Sequence, residues 1–300
     1  MNAARPWILQ RVPILSVLVL GVINVVVAGL ILFPTTRTTS HALKVSVLNI
    51  GQGDSILIQG PTGRTVLVDG GPDKSVLRDL STELGPLNRH IDMVVETHPD
   101  ADHITGLISV LQQYSVSYFM SPGIPDSTQT SKTLVQTVES TPGIKILTAT
   151  RGMRIDLGGG AYADVLSPDR DMSRETATND GSITMHVVYG STSFMLTGDL
   201  PTTVEGWLLT EDAQDGELPT TVLKAGHHGS KFSTGTPWLD ALNPQTVAIS
   251  VGINNKYGHP APDTLARIQT QGAKILETET EGTITFTSNG TTVTERSEGL

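Results

Sequence analysis

The rhythm of apolar and polar positions changes sharply along the chain. Residues 12–33 form an uncharged, mostly apolar stretch of 22 residues. As a helix rising roughly 1.5 Å per residue it spans about 33 Å, matching a hydrocarbon core of about 30 Å. Arg5 and Arg11 precede it, and Trp7 sits where an interfacial anchor belongs. The positive-inside rule therefore keeps the first residues in the cytoplasm and sends the rest out, although Arg37 beyond the span makes the bias modest. A cleaved signal peptide is the rival reading. The run exceeds the usual ~7–15 apolar residues, and no A-x-A site follows it. Residues 1–40 thus read as a stub, one transmembrane helix and a polar linker, and residues 41–300 as an extracytoplasmic domain.

After the linker, alternation of β-branched and polar residues takes over. Strands are predicted at 43–50, 55–58, 65–68 and 91–96. A helix follows, because Ile104, Leu107, Ile108 and Leu111 fall on one stripe at helical spacing. The second half repeats the style. Residues 183–189 and 192–196 form a hairpin, 222–224 and 246–250 are strands, and 261–271 is a helix. Residues 283–287 and 291–295 close the chain as a hairpin around Asn289-Gly290. No fixed-period repeat is visible. Strands mixed with helices in two loosely similar halves predict two sheets flanked by helices.

Composition narrows the chemistry. An apolar content of 38% and a charged content of 17% are globular. A net charge of -10 argues against tight non-specific binding of nucleic acid, but not against a phosphodiesterase whose metal ions supply positive charge. The chain has no cysteine, which removes disulfides, thiolate metal sites and cysteine nucleophiles. Any metal must be held by His, Asp, Glu or Asn.

The eight histidines cluster. His98, Asp100, Asp102 and His103 place four metal-competent groups within six residues, between a strand end and a helix start. An N-cap accounts for one aspartate there, but not for two histidines and a second aspartate beside it. Asp199 ends a strand in Thr197-Gly198-Asp199, where a carboxylate can bridge two metals roughly 3.5–4 Å apart. His227 and His228 share a loop, one suited to ligation and the other to facing substrate. His259, with Tyr257 near it, reads either as a turn residue or as a contact to the scissile group. His41, His90 and His186 read as linker, surface and strand residues. Lys224 and Lys256 read as solvated lysines rather than as phosphate clamps.

The motifs IGQGDS (50–55), LVDGG (67–71), THPDADH (97–103), NDGS (179–182), LTGD (196–199), HHGS (227–230) and YGHP (257–260) occur in this order. Together they closely resemble the metallo-β-lactamase-like domain of the ComEC/Rec2 competence family, over roughly residues 43–295. The resemblance implies an α/β (α+β) fold, an αββα sandwich with a dinuclear site at one edge. It implies that His98 and Asp100 bind one divalent metal, that Asp102 and His103 bind a second, that Asp199 bridges, and that His228, or else His227, completes the second. The other histidine of that pair and His259 would contact phosphate or act as acid.

Two departures from the superfamily pattern matter. The usual H-x-H-x-D-H has Asp100 in place of its second histidine, and this hard oxygen shifts preference from zinc toward manganese or magnesium. The histidine expected between the first motif and the Gly-Asp is also missing. Either Asp180 or Asn179 substitutes for it, or the first metal site is weakened. Competence proteins of this kind also carry a many-helix channel, whereas this chain offers one span, so it reads as a separate hydrolase module or as the partner of a channel encoded elsewhere.

The implied activity is a two-metal hydrolase, a nuclease or phosphodiesterase acting on DNA outside the cytoplasm in connection with DNA uptake. Asp102 would orient the attacking water and accept its proton, and His227 or His259 would protonate the leaving oxygen. An esterase for small or cell-wall-linked substrates such as phosphocholine esters is the alternative. A non-catalytic metal-binding scaffold is the third reading, and the open carboxylate-rich donor set argues against it.

Overall fold

Alternate residues of the strands face two different apolar layers, and that division builds the architecture. The computed structural model describes residues 41–125, 128–212 and 218–299. The transmembrane reading of residues 12–33 lies outside the described residues. Among these, no helix is long and apolar enough to cross a membrane.

The first half forms β1 (Leu43–Val47), β2 (Ile56–Gln59), β3 (Thr65–Val68), α1 (Val76–Leu84), β4 (His90–Val95), α2 (Ala101–Gln113), β5 (Ser115–Ser121), α3 (Gln129–Ser140) and β6 (Lys145–Thr148). The second forms β7 (Arg154–Gly158), β8 (Ala161–Ser167), β9 (Thr184–Tyr189), β10 (Thr192–Leu196), α4 (Thr202–Asp212), β11 (Val222–Lys224), α5 (Thr236–Leu242), β12 (Thr246–Ile249), α6 (Pro262–Gln271), β13 (Lys274–Glu277), α7 (Thr278–Glu281), β14 (Ile284–Ser288) and β15 (Val293–Ser297).

One sheet has the order β15-β14-β1-β2-β3-β4-β5-β6 and the other β13-β12-β11-β10-β9-β8-β7. Val45, Ile58 and Val66 of the first pack with Val165, Val187, Phe194 and Leu196 of the second, between the sheets. The tilted rings of Phe194 and Phe286, 6.2 Å apart, join them. Leu57, Leu67 and Val94 face the other way, onto Leu80, Ile104, Leu107 and Leu134 of the first three helices. Met195, Leu223 and Val247 likewise face Leu208, Trp238 and Ile268 of α4–α6. Each fully buried aliphatic side chain contributes roughly 1.5–3 kcal/mol. The result is the expected αββα sandwich.

The last hairpin differs from expectation. Ser288 pairs with Val293, so four residues, 289–292, connect β14 to β15, where three, 288–290, were expected. The side-chain oxygen of Asn289 holds that loop by accepting from the backbone of Thr291 and Thr292. β14 also pairs with β1, which places the chain's last strands beside its first described one.

β3 to β6 are mutually parallel, as are β10 to β13. The ends of β3, β4, β10, β11 and β12 lead into the segments that carry Asp69, His98, Asp199, His227, His228 and Ser250. A crevice beyond the carboxyl ends of parallel strands is where open α/β sheets carry their sites.

Candidate metal centre

The carboxylate of Asp199 lies against four histidines. Its Oδ1 is 3.3 Å from Nε2 of His103, and its Oδ2 is 3.8 Å from Nε2 of His98, 3.6 Å from Nε2 of His227 and 3.8 Å from Nε2 of His228. Asp102 Oδ2 joins them 3.5 Å from His228 Nε2, and Asp100 Oδ2 lies 3.7 Å from His98 Nε2.

Local structure explains the convergence. His98 follows β4, and His103 stands on the first turn of α2. Asp100 occupies the N-cap position of α2, yet its side chain makes no capping bond. The helix start is tied instead through the Asp100 carbonyl, which accepts from the amides of His103 and Ile104. Capping therefore does not consume this carboxylate. His227 and His228 both adopt left-handed backbone, at φ 48° and 53°. Such strain in non-glycine residues persists only where its surroundings enforce it. Gly53 packs so closely that a Cβ would stand 2.1 Å from the Asp102 carbonyl oxygen.

A second layer orients these ligands. His103 Nδ1 is 2.8 Å from Asp69 Oδ2. The Thr97 hydroxyl donates to the same carboxylate at 2.7 Å, so it accepts from Nδ1 of His98 at 3.0 Å. His228 Nδ1 donates to the Ser250 carbonyl at 3.1 Å and lies 3.2 Å from Asp54. All three rings thereby turn Nε2 toward Asp199. A carboxylate or carbonyl behind the ring is the usual arrangement for ligating histidines.

His98 Nε2, His103 Nε2, His228 Nε2 and Asp199 Oδ1 are buried and have no hydrogen-bond partner. A buried polar atom without a partner costs about 1–3 kcal/mol. Four such atoms facing one point fit a cation, and imidazole with carboxylate suits zinc or manganese. Ligand atoms within 4.8 Å of one another group His98, His103 and Asp199, and separately Asp102, His103 and His228.

Charge follows the same geometry. Burial opposes a proton on His103, but Asp199 and Asp69 outweigh it and hold its pKa well above the histidine range. Burial likewise opposes a proton on His228, yet Asp199 and Asp54 push its pKa up to about 9. Burial and the neighbouring His103 lower that of His98. Burial would raise the Asp199 carboxyl, but His103 and His228 hold it well below the usual range. Without a cation, protons on histidines balance the carboxylates.

Among the described residues, the ligand groupings include neither Asp180 nor Asp100. Asp180 sits in a 3-10 turn (Thr178–Gly181), and its neighbours meet the site instead. Asn179 Nδ2 is 3.3 Å from His227 Nδ1, and Ser182 Oγ accepts from the amide of Asp199. The substitution of Asp180 for a missing histidine is thus not what the geometry offers. His227 is one-third exposed, and the His259 ring packs 5.6 Å from it.

Lys224 corrects the surface reading. It is 1% exposed, and its Nζ is 2.8 Å from Asp54 Oδ2. Burial would raise the Asp54 carboxyl, but Lys224 and His228 together lower it. Asp54 and Asp69 lie in the motifs IGQGDS and LVDGG, to which the sequence reading attaches no residue role. The one hint was that each follows or precedes glycine at a strand end.

Comparison with known proteins identifies the family and the fold. A family model described as the metallo-beta-lactamase superfamily matches residues 48–252. The chain is 30% identical to ComE operon protein 3 of Bacillus subtilis (strain 168), covering 81% of this chain and 33% of that protein. It is 25% identical to Competence protein ComA of Neisseria gonorrhoeae, covering 86% and 34%. It thus spans about a third of the length of the curated relatives it matches. Among solved structures, the metallo hydrolase Igni18 of Ignicoccus hospitalis shares the fold, with a TM-score of 0.52 at 16% identity over 81% of this chain and 98% of that one.

Proposed function

The chain belongs to the metallo-β-lactamase superfamily, and from that premise we propose that it is a metal-dependent phosphodiesterase that cuts DNA. The observation that carries this is the Asp199 carboxylate set among His98, His103, His227 and His228, with the partnerless Nε2 atoms of His98, His103 and His228 facing it. The name of one relative, Competence protein ComA, together with the resemblance to the ComEC/Rec2 family, favours a nucleic-acid substrate.

In this reading His98, with Asp100 3.7 Å from it, would hold one divalent ion, Asp102, His103 and His228 would hold the other, and Asp199 would serve both. Bound there, such ions polarise a phosphoryl oxygen and lower the pKa of water. Three carboxylates beside three imidazoles favour manganese, with zinc or magnesium as alternatives.

The remaining work falls to the chain. Although burial opposes it, the contact with His228 lowers the Asp102 carboxyl pKa, so it stays ionised to orient the attacking water and take its proton. His227, at the open side of Asp199 and backed by His259, gives a proton to the leaving oxygen. In this reading the domain acts outside the cytoplasm, with residues 12–33 as its membrane anchor.

The test uses the purified full chain, stripped of metal and given Mn²⁺, Mg²⁺ or Zn²⁺ separately. Substrates are single- and double-stranded DNA, bis-p-nitrophenyl phosphate and a phosphocholine ester. Metal-dependent cutting of DNA, abolished in Asp102→Ala, is expected. Hydrolysis of the phosphocholine ester but not of DNA replaces the nuclease reading with the small-ester one, which the net charge of -10 favours. Metal binding with no hydrolysis of any ester leaves a scaffold.

A further inference from the structure

Two loops beside the centre repeat one device. Lys231 lies over the ring of Phe232, with Nζ 4.9 Å from its centroid, and Lys256 lies over that of Tyr257 at 5.0 Å. Phe232 is 64% and Tyr257 55% exposed, the two most exposed aromatic side chains among the described residues. Ile253, at 62%, stands in the second loop. On a chain of net charge -10, paired lysines at exposed rings are a local reversal of sign.

Hydrogen bonds tie the segments that carry these rings to each other. The Ala261 amide donates to the Gly229 carbonyl at 2.8 Å, and the Thr264 hydroxyl donates to that of Ser230 at 2.9 Å, binding one loop to the other. The Asn255 side chain closes the second loop, donating to the His259 carbonyl and accepting from the amides of Tyr257 and His259. A continuous ring path then runs inward. Tyr257 stacks on His259 at 5.9 Å and 16°, His259 meets His227 at 5.6 Å, and His227 reaches Asp199 at 3.6 Å.

We propose that these loops form a platform for single-stranded nucleic acid, with Phe232 and Tyr257 stacking nucleobases and Lys231 and Lys256 pairing with phosphates. The proposal rests on the phosphodiesterase reading and adds its substrate class. Exposed aromatic rings beside lysines are how proteins hold single strands without reading sequence, because every base has a π-face. Duplex bases are stacked on one another and do not offer those faces. A lipid surface would use the same residue types. It would have no need of a ring path leading to the ligand cluster, and that path decides for a substrate strand.

The experiment is fluorescence anisotropy with the purified full chain, in chelator to prevent cutting. The probes are a thymidine 12-mer, a base-free strand of the same length, and phosphatidylglycerol vesicles. Hydrolysis of bis-p-nitrophenyl phosphate by the wild type in added metal is measured separately. The thymidine strand is expected to bind at least about 10-fold more tightly than the base-free one. Phe232→Ala and Tyr257→Ala should each weaken it by about 10-fold while leaving the base-free strand unchanged. Exposed side chains make misfolding of these variants detectable as a changed thermal midpoint. Lys231→Gln with Lys256→Gln should weaken both strands and flatten the salt dependence.

Equal affinity for strands with and without bases, or binding of neither, overturns the platform. So does vesicle binding that the aromatic substitutions abolish while thymidine binding persists. Hydrolysis of the aryl diester with base-independent binding removes the platform alone. Base-dependent binding without hydrolysis upholds the platform and removes the phosphodiesterase reading.

Discussion

Asp69 Oδ2 stands 2.8 Å behind the Nδ1 of His103, while the Nε2 of the same ring faces Asp199. One carboxylate thus fixes the ring's tautomer and its aim, and its left-handed backbone (φ 59°) fixes the carboxylate. Asp69 also accepts from the amide and the hydroxyl of Thr97, which in turn orients His98. Asp69→Asn keeps the shape and removes the charge. Metal affinity, measured by calorimetry, should fall about 10–100-fold with little change in fold, as for other partners of ligating histidines. Unchanged affinity would make Asp69 a turn residue only.

Lys224 and Asp54 form an ion pair in which both side chains are almost wholly buried. Removing one partner strands the other charge. Lys224→Met should destabilise the protein by about 3–5 kcal/mol in chemical denaturation. Lys224→Met combined with Asp54→Asn should recover part of that loss. A single substitution costing under about 1 kcal/mol would show that the pair is solvated in solution.

Glu205 on α4 is 2% exposed and accepts from the amides of Thr234 and Gly235, in the loop after His227 and His228. Burial raises its pKa from 4.5 to about 7, against the lowering effect of those bonds. A raised carboxyl pKa means that the folded state holds a proton which the unfolded state releases. Its contribution is complete below about pH 4.5 and is lost as pH rises to about 7, by ~3 kcal/mol at most. The thermal midpoint of Glu205→Gln should therefore gain on the wild type between pH 5 and 8. Parallel curves would refute the shift.

Gly53 has φ 136°, and a side chain there would meet the Asp102 carbonyl oxygen. Gly53→Ala should push the turn off the start of α2. Expected is a loss of more than about 1 kcal/mol together with weakened metal binding, since backbone and ligand move as one. Normal binding with normal stability would mean that the turn yields freely.

Alternation exposed β1 to β4 and β9 to β12, because their apolar residues recur on buried faces. It missed β6, whose sequence KILT is largely exposed at a sheet edge, and α4, where Thr202, Thr203, Gly206 and Thr210 dilute the helical pattern. The alternation of β8 was present in AYADVLS but carried by alanines, which signal weakly. At the centre, His98, Asp102, His103 and His228 stand out because several metal-competent groups in a few residues are uncommon, and Asp199 because it is a carboxylate at a strand end. Asp54, Asp69 and Lys224 do not. A Gly-Asp or Asp-Gly pair reads as a turn, and a lysine at a strand end reads as solvated. Only the meeting of the two sheets at one edge gives them histidines and each other as neighbours.

The central claim is that the atoms around Asp199 are ligands. The direct measurement is calorimetric titration of the metal-stripped full chain with Mn²⁺ and with Zn²⁺, beside Asp199→Asn. Two saturable ions in the wild type, and loss of at least one in Asp199→Asn, are the predicted result. A folded wild-type chain that takes up neither metal would contradict the account.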